Sequence, residues 1–358
     1  AGVGVHSGKK AKLVLKPAPA GTGVVFRRTD VKSGDTAIQA DAEYVSDTQL
    51  GTTLTNDDGV SVAVVEHLMA ALAGMGIDNL LIEIDGPEVP IMDGSSAVYC
   101  ELLMQAGLQR QSAPRRRIRI LEAIEIEDGP KRARLSPSDD KFLTLNARIE
   151  YDDSLIGVQE MALKLAPGMF ARDLAFARTY GFARDVDMLR SMGLARGGSL
   201  ENAVVVDNGE VMNPEGLRSE DEFVRHKMLD AVGDMMLAGA PIAGIYEAVQ
   251  PGHSINNLLV RKLLDTPSAW CWETDTADAT RIDTRLWPIS KFAYAQRVHR
   301  CERKGRIACH TGNSQEIDLV RRCKRQQDGH RVIVPRITID NDFSFTHSAF
   351  PDNPFPLS

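Results

Sequence analysis

The stretch EFVRHKMLDAVGD (222–234) sets His226, Asp230 and Asp234 four residues apart. Helical spacing stacks such positions on one face. Met228, Leu229, Ala231, Val232 and Met235 are apolar and demand that the helix be buried. A column of His, Asp and Asp on an inward-packing helix is either a site or a satisfied polar contact. Spacing alone leaves both readings open.

Working outward, a second stretch has the same logic. VEHLMAALAGMGIDNLLIEIDG (65–86) reads as a helix that starts near a His, a Gly-rich stop and a strand. Before it, AKLVLKPA (11–18) and GVVFRRTD (23–30) alternate like strands around a Pro/Gly turn. After it, SSAVYCELLMQAG (95–107) reads as a helix capped by Ser and ended by Gly. The polar LQRQSAPRRR (108–117) reads as a linker. Strands resume at 117–128, 132–138 and 142–151. A helix with Pro at its start is expected over 165–178, then a short helix, a Gly loop and a strand over 184–206. IAGIYEAVQPGHSINN (242–257) reads as a strand ending in a turn-like loop. Each half therefore runs strands, a helix beginning near a His (67 or 226), then a strand. The expected class is α+β, built as a duplicated unit. The expected division is residues 1–108, a linker 109–117, a second unit 118–296, and a tail 297–358.

Composition bounds the function. The chain has 358 residues, 43% hydrophobic and 25% charged, with a formal net charge of −7. An acidic balance argues against general nucleic-acid binding, and no nucleic-acid partner is expected. Five cysteines without paired spacing suggest reduced thiols and a cytoplasmic location. No apolar run approaches the ~20 residues of a membrane span. The opening AGVGVHSG starts in mid-strand without Met, so residues missing before it are expected. The tail carries eleven Lys/Arg against seven Asp/Glu and no metal-finger spacing. It reads as a solvated or appended segment, or a foreign reading frame, whose charge would favour at most a transient contact with an anionic membrane surface.

His226 and Asp230, at i and i+4, can both reach one metal ion. A hydrolytic metal site needs a third protein ligand and an open position. His67 in VEHLMAA offers the former, with Glu66 beside it as a proton acceptor. Two His and one carboxylate suit Zn²⁺, and the same set suits Fe²⁺. HExxH is absent, which counts against the common zinc proteases.

Six motifs in consistent order carry a resemblance: GVGVHSGKK (2–10), EHLMAALAGMGIDN (66–79), PEVPIMDGSS (87–96), FARTYGF (176–182), NPEGLRSEDEFVRHKMLDAVGD (213–234) and GHSINN (252–257). Over residues 1–295 the chain resembles the zinc-dependent UDP-3-O-acyl-N-acetylglucosamine deacetylases of lipid A biosynthesis. The resemblance implies that two similar layered units face each other, with metal ligands His67, His226 and Asp230, and a general base Glu66. It implies a second acid/base group His253, oriented by Asp234, and an oxyanion-side Thr179. Lys227 and Lys131 would contact the sugar nucleotide. Residues 185–206 would be the insert that forms an apolar passage for the acyl chain, with Val186, Leu189, Leu200 and Val204 chosen as lining. The implied reaction is hydrolysis of the N-acetyl amide by a monomer whose partner is the acylated UDP-sugar. The rival readings are a non-catalytic binder of acylated sugar nucleotides and a different metal-dependent sugar amidohydrolase. Gln250 stands where relatives often carry Lys, which puts a diphosphate contact in doubt. Tyr180 and Ser219 replace usual Phe residues.

Overall fold

The computed structural model describes residues 1–153 and 155–274. The expected tail, and residues 275–296 of the expected second unit, lie outside that range. The fold is mixed α+β with six helices among the described residues: α1 Glu66–Met75, α2 Ala97–Ala106, α3 Met169–Asp173, α4 Ala183–Ser191, α5 Glu222–Met236 and α6 His253–Leu264.

Two large sheets share a pairing scheme. In the first, the central strand Leu80–Ile84 follows α1. It runs antiparallel to Leu13–Pro17 and parallel to Val24–Arg28, which pairs in turn with Ala37–Gln39. In the second, the central strand Ile242–Val249 follows α5. It runs antiparallel to Lys131–Ser136 and parallel to Leu143–Glu150, which pairs with Val158–Lys164. Each central strand leads on to a helix, α2 or α6. The Pro/Gly turn after Pro17 does not pair the strands it joins, because Leu80–Ile84 lies between them. Leu13 and Leu15, Val24 and Phe26, and Leu80, Ile82 and Ile84 point inward at every second position, the period of a half-buried strand.

α1 and α5 pack on each other, and their side chains join the strand residues in one apolar core. α1 buries eight of its ten residues and α5 thirteen of its fifteen. Such helices are surrounded rather than laid on a surface. α1 stops at Gly76, whose φ of 69° is left-handed and favours glycine.

Three local expectations need correction. The run 117–128 is two strands, Arg116–Ile120 and Ile124–Asp128. The helix expected over 165–178 shrinks to α3, with Gly168 rather than Pro167 at its entry. The expected loop at GHSINN is the first turn of α6, entered from an extended Gly252. At α2 Ser95 Oγ accepts from the first helical N–H, that of Ala97, at 3.2 Å, while the Ser96 hydroxyl donates to the carbonyl of His67. No helix among the described residues is long and apolar enough to cross a membrane.

Candidate metal centre and active site

The α1–α5 crossing brings the sequence-predicted ligands together. His67 stands in the first turn of α1, and His226 and Asp230 stand one turn apart on α5. Their candidate ligand atoms all lie within 4.8 Å of one another, and all three residues are buried. Asp230 Oδ1 is 3.3 Å from His226 Nε2 and 3.5 Å from His67 Nε2. That oxygen nevertheless has no hydrogen-bond partner. A buried, orphaned carboxylate oxygen is expensive unless something else satisfies it. Facing two imidazole nitrogens, it fits a cation better than a proton.

The supporting contacts agree. His226 Nδ1 lies 3.1 Å from the carbonyl oxygen of Ala177, which fixes the proton there and leaves Nε2 a free lone pair. Burial pushes the His226 imidazolium down to about 3, so the ring is neutral, as a ligand must be. Burial opposes the charge on Asp230, but His226 and Lys227 offset it and hold the carboxyl well below its ordinary range. Lys227 Nζ donates to Asp230 Oδ2 at 3.2 Å.

Beside this cluster stands a pair of titratable groups, both held above their ordinary values. His253, at the start of α6, donates from Nδ1 to Asp234 Oδ2 at 3.0 Å, and its Nε2 lies 3.8 Å from Glu66 Oε1. Burial opposes its charge, but Asp234 and then Glu66 more than offset this and push the imidazolium up to about 10. Burial raises Glu66 above the ordinary carboxylate value, with His253 and His67 pulling the other way. Asp234 accepts further hydrogen bonds from Thr52 Oγ1 at 2.8 Å and Asn256 Nδ2 at 2.9 Å. Tyr246 donates to Asn256 Oδ1 at 2.6 Å. Thr52, Asn256 and Tyr246 went unnoticed in the sequence. Asn256 lies inside a quoted motif, GHSINN, while Thr52 lies in none.

The remaining candidates fall in three places. Thr179 is half-buried, its backbone held by Gly94 and Val204, two residues beyond the Ala177 carbonyl that orients His226. Lys131 is exposed at the start of its strand, Lys131–Ser136. Val186 and Leu189 lie half-buried on α4, a helix with no fully buried residue, and Leu200 is half-buried beyond it. Val204 is fully buried in the core, in register with Tyr180. Gln250 donates through its side chain to the carbonyl of Glu150 and closes the strand end there.

The family model for UDP-3-O-acyl N-acetylglycosamine deacetylase matches residues 1–265. A UDP-3-O-acyl-N-acetylglucosamine deacetylase of Phenylobacterium zucineum is 49% identical over 278 residues, 78% of this chain and 94% of that protein. One of Myxococcus xanthus is 52% identical over 272 residues, 76% and 85% of the two chains. One of Shewanella violacea is 48% identical over 271 residues, 75% and 88%. A match of this length and identity, over a buried His–His–Asp cluster, makes the chain a member of the UDP-3-O-acyl N-acetylglycosamine deacetylase family.

Proposed function

We propose that the chain hydrolyses the N-acetyl group of UDP-3-O-acyl-N-acetylglucosamine, releasing acetate and the free amine, in lipid A biosynthesis. The observation that carries the reading is the carboxyl of Glu66 and the imidazole of His253, set side by side next to a metal-ready cluster. Binding alone needs no acid and base 3.8 Å apart.

His67, His226 and Asp230 would hold the ion, zinc by preference, although the donor set also accepts Fe²⁺. When bound, it supplies Lewis acidity and an activated water. Glu66, ionised, accepts a proton from the water that adds to the acetamide carbon. Thr179 stands on the oxyanion side. His253, protonated, gives its Nε2 proton to the nitrogen as the C–N bond breaks, and Asp234 keeps the opposite ring nitrogen occupied. Lys227 and Lys131 serve the sugar nucleotide. The half-buried apolar side chains of residues 186–200, with Val204 behind them, serve the acyl chain. The protein acts as a cytoplasmic monomer.

The test is acetate release from the acylated and the acyl-free UDP-sugar, measured side by side with metal analysis of the purified protein. Faster turnover of the acylated substrate is expected. Equal turnover of both would favour another sugar amidohydrolase, and binding without acetate release would favour a non-catalytic binder.

A further inference from the structure

Thr52 immediately precedes the strand Thr53–Thr55 and is 1% exposed. It touches Glu66 itself and Asp234, the carboxylate that holds His253. Its backbone N–H donates to Glu66 Oε2 at 2.9 Å, and its hydroxyl donates to Asp234 Oδ1 at 2.8 Å. Its carbonyl accepts from Val65 N at 3.2 Å, so the residue also grips the entry to α1.

These bonds decide which oxygen of each carboxylate is free. With Oε2 held by Thr52, Glu66 presents Oε1, the atom 3.8 Å from His253 Nε2. With Oδ1 held by the Thr52 hydroxyl, Asp234 presents Oδ2 to His253 Nδ1 and to Asn256. The imidazole then has its Nδ1 proton committed, and its Nε2 faces the reacting groups. Gly51 completes the arrangement, because a Cβ there would come within 3.0 Å of Glu66 Oε1.

We propose that Thr52 is a positioning residue for the deacetylation, a single residue that orients the general base through its backbone N–H and, through the bond of its hydroxyl to Asp234, the general acid His253. The inference rests on the roles given to Glu66 and His253 above. It concerns neither metal binding nor substrate affinity, and that separates it from a packing role.

Thr52→Val keeps the shape and the N–H and removes only the hydroxyl; Thr52→Ser keeps the hydroxyl. Thr52→Ala takes the place of the valine variant should that protein not fold. The measurements are kcat and KM on the acylated UDP-sugar at matched folded fraction, together with bound metal, with Glu66→Gln assayed alongside. Partners one step removed from a reacting group typically contribute ~10–100-fold, and a loss of that size in kcat is expected for the valine variant. KM and metal content stay at the parent values, and serine restores kcat. An unchanged kcat in both hydroxyl-free variants, a change confined to KM or metal content, or an equal loss in the serine variant would each overturn the proposal. An active Glu66→Gln protein would overturn the reading of Glu66 as base and this inference with it. An inactive one beside a fully active Thr52→Val would overturn the inference alone.

Discussion

The carbonyl oxygen of Glu66 occupies the space where a side chain at Gly233 would begin. α1 and α5 therefore cross as closely as backbones allow, and the crossing falls between Asp230 and Asp234. Elsewhere in a helix, Gly→Ala stabilises by ~0.5–1 kcal/mol. At Gly233 the sign reverses, because the added methyl has to push the helices apart, and overpacking of this kind costs ~1–3 kcal/mol. Since His67 rides on α1 and its partner ligands on α5, the Gly233→Ala protein should melt lower and retain less metal after dialysis. A protein that melts higher and keeps its metal would show that the crossing has slack.

Arg178 and Glu222 form a buried pair whose every bond is accounted for. The guanidinium donates to both Glu222 oxygens at 2.9 and 3.1 Å, to Glu215 and to the carbonyl of Gly216. The backbone N–H groups of Arg178 and Arg218 also donate to Glu222. This knot ties FARTYGF to the start of α5, and with it Thr179 and the carbonyl behind His226. Removing one member of a buried pair typically costs ~3–5 kcal/mol, because the other charge stays buried. Glu222→Ala should lower the denaturation midpoint accordingly. A shift within the scatter of a surface substitution would contradict the pairing.

For the metal, the expected result is loss without collapse. His226→Ala removes one of the three proposed ligands and opens a gap in a helix otherwise held by apolar packing. Metal content and acetate release should both fall to background while the far-ultraviolet spectrum stays that of the parent. Chelation of the parent protein should do the same and reverse on adding zinc back. Unchanged metal content in the variant would remove His226 from the ligand set.

The sequence spoke clearly where local pattern and tertiary need coincide. α1 and α5 are apolar on most faces, so their existence and burial could be read directly. α3 was over-read because MFARDLAFAR has helical periodicity. Its later residues instead leave the helix, so that Ala177 can reach His226 and Arg178 can reach Glu222. α6 was missed for the opposite reason. PGHSINN looks like a turn by composition, but Asn256 spends its side chain on Asp234 and Tyr246, and Asn257 accepts from Arg261. Spacing brought His226 and Asp230 together; His67, 159 positions away, could be named as a candidate third ligand from VEHLMAA, but only the fold brings it to the other two. Thr52 and Asp234 are separated by 182 residues, and no local signal announces such a pair.

The pH dependence tests the third member of the α5 column. In the proposed mechanism activity needs Glu66 ionised and His253 protonated. It should rise as pH climbs through the Glu66 value, which burial raises, and fall as His253 loses its proton. Asp234 is the largest influence raising His253, whose imidazolium stands at about 10 in the protein alone. Three donors meet the two oxygens of Asp234: the Thr52 hydroxyl, the Asn256 amide and the His253 ring. Asparagine offers one acceptor oxygen and no charge, so at least one donor is left facing an NH₂ group. Losing an opposite charge at this range typically lowers an imidazole pKa by about 1–3 units. Asp234→Asn should therefore bring the basic limb of kcat/KM down by that amount and leave the acidic limb in place. Glu66→Ala and His253→Ala should each lose ~10²–10⁴-fold while keeping metal. A basic limb that does not move in Asp234→Asn would mean that the imidazole's charge is set by something other than the carboxylate 3.0 Å away.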